Sequence, residues 1–167
     1  MKNGRKYAIV LVWTVFIYAA LQPQPPPLAA EEVSSLLINE VMCDPADNEN
    51  TNEWIELYNP SEEFIDVSGW TIADEKEADT ITADSDNGNN STSIPPGGYA
   101  LLTDKGTTVY ETFPVAENTI RLMVDDSTLC GYGLNNKKEK IILMDQEGTV
   151  IDAMEWGDDY DDVPGFP

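Results

Sequence analysis

Histidine is missing altogether from the 167 residues, and basic side chains are scarce: nine Lys and Arg stand against 31 Asp and Glu, a formal charge of −22. Without histidine there is no Ser-His-Asp arrangement and no histidine-ligated metal, and no G-x-S-x-G elbow is present either. So much acid repels phosphate, which argues against a nucleic-acid partner held through its backbone. The bland reading of the same acids is a solvated coat. Cysteine is nearly absent too, with Cys43 and Cys130 in no CxxC or other zinc pattern. Beyond residue 30 no stretch has a convincing helical period.

What is present begins with a leader. Residues 1–30 read as an export signal: a basic start with Lys2, Arg5 and Lys6, an apolar run over residues 7–21, and Leu28-Ala29-Ala30 before Glu31. The run of 15 residues is short of the roughly 20 that a membrane-crossing helix needs. Cleavage after Ala30 is expected, with an uncleaved N-terminal anchor as the alternative; either way residues 31–167 lie outside the cytoplasm. Removing the leader takes away three of the nine basic residues and no acid, leaving 6 − 31 = −25.

After a linker over residues 31–35 the chain reads as short strands punctuated by turns. In Glu53-Trp54-Ile55-Glu56-Leu57-Tyr58-Asn59 strict alternation places Ile55 and Leu57 on one face and Glu56 and Tyr58 on the other, and Pro60 stops the strand. Val67-Ser68-Gly69-Trp70-Thr71-Ile72-Ala73 is expected to pair with it and bring Trp70 to the same core. Residues 74–93 are polar, with Thr80-Ile81-Thr82 as one arm of a hairpin or as part of a long excursion, and a loop of that length is where binding is sought first. Ile94-Pro95-Pro96-Gly97-Gly98 is a sharp turn leading into Tyr99-Ala100-Leu101-Leu102-Thr103. Thr119-Ile120-Arg121-Leu122-Met123-Val124 reads as a further strand, and Asp145-Gln146-Glu147-Gly148 as the turn of a last hairpin. Seven or so such strands argue for an all-β, antiparallel sandwich.

The ordered set Ile38-Asn39-Glu40-Val41, Glu53 to Asn59, Val67 to Asp74, Ile94 to Leu102, Gly133-Leu134-Asn135-Asn136 and the hairpin from Ile141 through Gly148 to Asp152 resembles the lamin tail domain. The resemblance covers about residues 36–157 and implies an immunoglobulin-like β-sandwich of the microbial, exported type. It implies a non-catalytic module for attachment or protein–protein interaction at the cell surface, with a protein or a cell-surface polymer as partner. It carries over no catalytic residue. The acidic segment 158–167 follows, as a tail or an incomplete last edge.

Three site questions remain. In an exported chain two lone cysteines more often pair than stay free, so a Cys43–Cys130 disulfide is expected. No cofactor is required, but calcium stays open, because hard cations take several oxygen ligands from loops. Asp84 and Asp86, with Asn87 and Asn89, form one such loop, and Asp158, Asp159, Asp161 and Asp162 form another. The first departs from an EF-hand, since Pro95 stands where a closing Glu belongs, and a plain acidic loop is the bland alternative. Finally, Glu53 and Glu56 are not a glycosidase pair: an offset of three sends them to opposite faces of a strand.

Overall fold

The computed structural model describes residues 35–46 and 48–157. Ten strands run in chain order: β1 (Leu37–Met42), β2 (Trp54–Tyr58), β3 (Ile65–Asp66), β4 (Thr71–Ala73), β5 (Ala78–Ala83), β6 (Ser93–Ile94), β7 (Tyr99–Thr103), β8 (Ile120–Val124), β9 (Glu139–Met144) and β10 (Val150–Trp156). Two one-turn helices, α1 (Glu49–Asn52) and α2 (Val109–Thr112), lie in connections. Eight strands join in the order β1-β2-β7-β8-β5-β4-β9-β10, and β3 with β6 forms a separate pair.

The inward face follows the period of two. In β2, Ile55 and Leu57 are fully buried while Trp54, Glu56 and Tyr58 are only half-buried. Their core partners include Ile72, Ile81, Leu102, Leu122, Ile141 and Leu143 from five other strands. The order folds into two layers that share β5, which bonds to β8 on one side and β4 on the other. The outermost strands β1 and β10 then come together, with the Ile38 amide donating to Asp152 Oδ2 at 2.7 Å. Both strands carry a bulge, at Asn39 and at Ile151, where the pairing skips one residue. An extra residue bends a strand and raises its twist, which suits two edges that must turn toward each other. The Asp152 contact also places a charged side chain on an edge amide that a foreign strand would otherwise pair with.

Two expectations need correction. β2 does not pair with the strand containing Ile72; it lies between β1 and β7, and β4 lies between β5 and β9. The segment from Pro60 to Trp70 is long enough to cross between layers, so sequence neighbours are not sheet neighbours here. Nor is the sheet wholly antiparallel. β7 and β8 run parallel, which requires a crossover, and residues 104–119 supply it.

The turn before β7 forms as read: Pro96 precedes Gly97 at φ +63°, and the Gly98 amide donates to the Pro95 carbonyl at 2.9 Å. What holds it is Asn59, fully buried at the end of β2. Its Nδ2 lies 2.8–3.1 Å from the carbonyls of Glu63, Ile94 and Pro95, and its Oδ1 accepts from the amide and hydroxyl of Ser61. Its own backbone exchanges bonds with Gly97 and Gly98. Removing the amide leaves buried carbonyls unpaired, at about 1–3 kcal/mol for each. Asn59→Ala is expected to cost about 2 kcal/mol in urea unfolding, and Asn59→Asp, which loses the donor but keeps the shape, nearly as much. A cost within about 0.5 kcal/mol, as for an ordinary surface change, would show that the turn holds without it.

Candidate functional site

Two places on the sandwich combine polar chemistry with shape. The first is a groove on the outer face of β2 and β7. The crossover from β7 to β8 runs over this face, carrying α2 and Pro114-Val115-Ala116, and leaves a cleft of about 500 Å³. Its floor and walls include Trp54, Tyr99, Leu101, Val109 and Phe113, with Glu40 and Glu56 among the lining groups. The outward positions of β2 and β7 put Trp54 there by alternation, and Tyr58 stacks on Tyr99 beside it, ring centroids 4.8 Å apart. Glu56 is oriented by the Asn39 amide at 2.7 Å. The Trp54 indole N–H is buried without a hydrogen-bond partner, an uncommon state for a group that normally pairs when buried.

The second place is one end of the sandwich. Glu53 precedes Ile55 by two residues, Asp79 precedes Ile81, Glu139 precedes Ile141, Asp104 follows Leu102 and Asp126 follows Val124. Each acid therefore continues the inward register of a strand. The pairings Trp54↔Thr103, Ile81↔Val124 and the parallel course of β7 and β8 bring the β2, β5, β7 and β8 members to the same end, and β9 joins through β4. Glu53, Asp79, Asp104 and Glu139 are all at most 6% exposed.

The segment 126–135 closes over this ring and meets it with backbone amides. Cys130 N donates to Asp79 Oδ2 at 2.6 Å, Leu134 N to Glu53 Oε2 at 2.9 Å, Asn135 N to Glu139 Oε2 at 2.8 Å and Thr128 N to Asp126 Oδ1 at 2.8 Å. At Asp79, Glu53 and Glu139 these bonds favour the charged carboxylate, but burial outweighs them. It pushes Glu53 up to about 7 and Asp79 to about 6, helped by neighbouring acids. Asp104 is pushed to about 7 by burial and by the charges of Asp126 and Asp79, and apart from its own amide it has no hydrogen-bond donor. Glu139 is raised as well, by burial and then by Asp74, although Lys76 Nζ lies 4.0 Å from it.

Among the sequence candidates, Asp84 proves to be a structural residue. It is 1% exposed, and both its oxygens are taken by Asn87, from the backbone amide at 3.1 Å and the side-chain amide at 2.8 Å. Asp86 is exposed on the same short turn. Asn89 donates to the carbonyls of Ser91 and Arg121, fastening the loop to β8. The structure thus brings Asp84 to Asn87 rather than to a shared cation position with Asp86. Asp158, Asp159, Asp161 and Asp162, like the leader over residues 1–30, lie outside the described residues.

The expected disulfide is not formed: Cys43 and Cys130 are both free thiols. Cys130 is fully buried in the core cluster and Cys43 packs against that cluster from the end of β1. Burial raises both thiols above their ordinary value, so each stays protonated and acts as a small apolar side chain. Of the three tryptophans among the described residues, Trp70 and Trp156 pack against the core and Trp54 lines the groove.

An acidic, closed β-sandwich with an aromatic groove, a carboxylate ring and no histidine is an interaction domain of the immunoglobulin-like class. The model of the lamin tail domain family matches residues 29–158, and the chain belongs to that family, a non-enzymatic one. No curated protein matches it. Among the described residues no helix is long and apolar enough to cross a membrane.

Proposed function

We propose that the chain is exported and serves as an attachment module at the cell surface, its groove over β2 and β7 taking an extended, basic segment of a protein partner. The groove itself carries the reading: Trp54, Tyr99 and Phe113 offer the aromatic surface from which interface hot spots are built. Glu40 and Glu56 supply charge of the sign that selects lysine and arginine, within a chain of net charge −22.

The test uses a fluorescent peptide of alternating lysine and aliphatic residues, with a glutamate counterpart and a neutral polysaccharide as controls. Basic-peptide binding that falls about tenfold or more in Trp54→Ala, equivalent to roughly 1.4 kcal/mol, and falls again in Glu56→Lys supports the groove. Binding of the polysaccharide alone, or basic-peptide binding unchanged by Trp54→Ala, would overturn it. For export, the protein recovered outside the cells is expected to start at Glu31; a start at Met1 or Lys2 would favour the uncleaved anchor.

A further inference from the structure

Two acids of the carboxylate ring come together with a third, Glu77, at its rim. Glu77, Asp79 and Asp126 each bring an oxygen within 4.8 Å of the others. Oxygens on one calcium ion, each at about 2.3–2.6 Å from it, stand up to about 5 Å apart. Two segments contribute: Glu77 and Asp79, two residues apart at the start of β5, and Asp126 in the chain just past β8.

Their orientations are imposed from outside the cluster. Asp79 is held through Oδ2 by the Cys130 amide and Asp126 through Oδ1 by the Thr128 amide, so each keeps a second oxygen for another ligand. Glu77 lies across Gly131, whose φ is +73°, and a Cβ at that glycine would collide with Glu77 Oε2. Glycine at 131 thus serves the backbone conformation and the space that Glu77 occupies.

An independent feature points to a missing positive charge. Asp104 is 1% exposed, and neither of its oxygens has a hydrogen-bond partner beyond its own amide. The parallel register of β7 and β8 carries Asp104, just past Thr103, to the strand end where Asp126 lies, and the strongest charges acting on it are those of Asp126 and Asp79. A buried carboxylate with no donor beyond its own amide costs several kcal/mol unless a cation or a proton compensates it.

We propose that Glu77, Asp79 and Asp126 bind one divalent cation at this end of the domain, with Asp104 as the buried carboxylate behind them, and that the cation is calcium. All donors are carboxylate oxygens, which selects a hard ion over zinc or copper. Two ligands two residues apart on one segment and a third from a neighbouring strand form an irregular shell, which calcium tolerates and magnesium, with its strict octahedron, does not. The site is separate from both the 84–89 loop and the groove, and does not depend on the groove's partner.

Calcium chloride is titrated into the chelator-treated full chain at constant ionic strength, because a protein of this charge gains stability from any screening salt. Calorimetry is expected to show one site, and saturating calcium to raise the thermal midpoint by about 5 °C over chelator. Asp126→Asn and Glu77→Gln, which preserve shape, are expected to abolish the shift, Asp104→Asn to weaken binding at least tenfold, and Asp86→Asn to leave it intact. An equal midpoint in calcium and chelator would show that Asp104 is compensated by a proton and the proposal is wrong. A shift that survives Asp126→Asn and Glu77→Gln, or that Asp86→Asn removes, would place the ion elsewhere and overturn it as well. A larger shift from magnesium would overturn the choice of calcium.

Discussion

Leu57→Ala is expected to lower the thermal midpoint by roughly 10 °C or more, whereas Glu56→Ala, one residue away, lowers it by no more than about 4 °C. Leu57 is fully buried between the layers, and truncating such a side chain costs roughly 2–5 kcal/mol in lost transfer free energy and residual cavity. At about 4 °C per kcal/mol for a domain of this size, any cost above about 2.5 kcal/mol gives the stated shift. A domain with about 5–15 kcal/mol of stability loses a large share of it. Glu56 faces the groove, and its polar contact is the 2.7 Å bond from Asn39, an exposed interaction worth about 0.5–1 kcal/mol. Paired melts of the two variants decide the matter. Equal costs, or a greater cost at Glu56, would mean that the register of β2 against β1 and β7 is wrong.

Acidification from pH 8 to pH 5 in the presence of chelator is expected to stabilise the domain, by roughly 3 kcal/mol. Glu53 leads this effect. Burial first, then the charges of Asp104, Glu49 and Glu139, push it from 4.5 to about 7 in spite of the Leu134 amide bond. Because the folded-state value lies above the unfolded one, the stability this group contributes is fully present below about pH 4 and is lost as pH rises through about 7. Each unit of difference is worth about 1.36 kcal/mol. The acids of the ring repel one another, so their contributions do not add in full. Glu139 shifts in the same direction. Asp66, held low by the Thr92 hydroxyl and the Ser68 amide, works the other way, but only below the ordinary carboxylate range. Urea midpoints at pH 8, 6.5 and 5 provide the measurement. Glu53→Gln, whose carbonyl still accepts from Leu134, is expected to raise stability at pH 8 and flatten the profile. A midpoint that falls steadily from pH 8 to pH 5 would show that the ring is ionised at no cost.

Part of the carboxylate ring was legible in the sequence. Glu53, Asp79 and Glu139 each stand two residues before a fully buried isoleucine, and Asp104 and Asp126 two residues after a buried aliphatic. An acid in the inward register at a strand end is visible to anyone counting by twos. What that count does not show is that five such ends meet, or that the segment 126–135 supplies amides to them. The emphasis on Asp84 and Asp86 came from local density of acid, and density did not distinguish a carboxylate facing a cation from one that caps its own turn.

The sequence by itself determined the properties that local rules govern. The period-two burial of Ile55 and Leu57, the turn at Pro95 to Gly98 with its left-handed glycine, and the hairpin closed by Gly148 N to Asp145 O at 3.1 Å depend on residues near in the chain. So does the exclusion of histidine chemistry, which needs no structure at all. The tertiary structure alone decided which strands pair, that β7 and β8 run parallel, that the crossover roofs Trp54 to make a groove, and that both cysteines remain thiols. Strand partners are chosen among near-equivalent candidates by side-chain packing over long loops, and a carboxylate's charge state is set by whatever that packing brings around it. Both are non-local free energies, summed over neighbours that are distant in sequence.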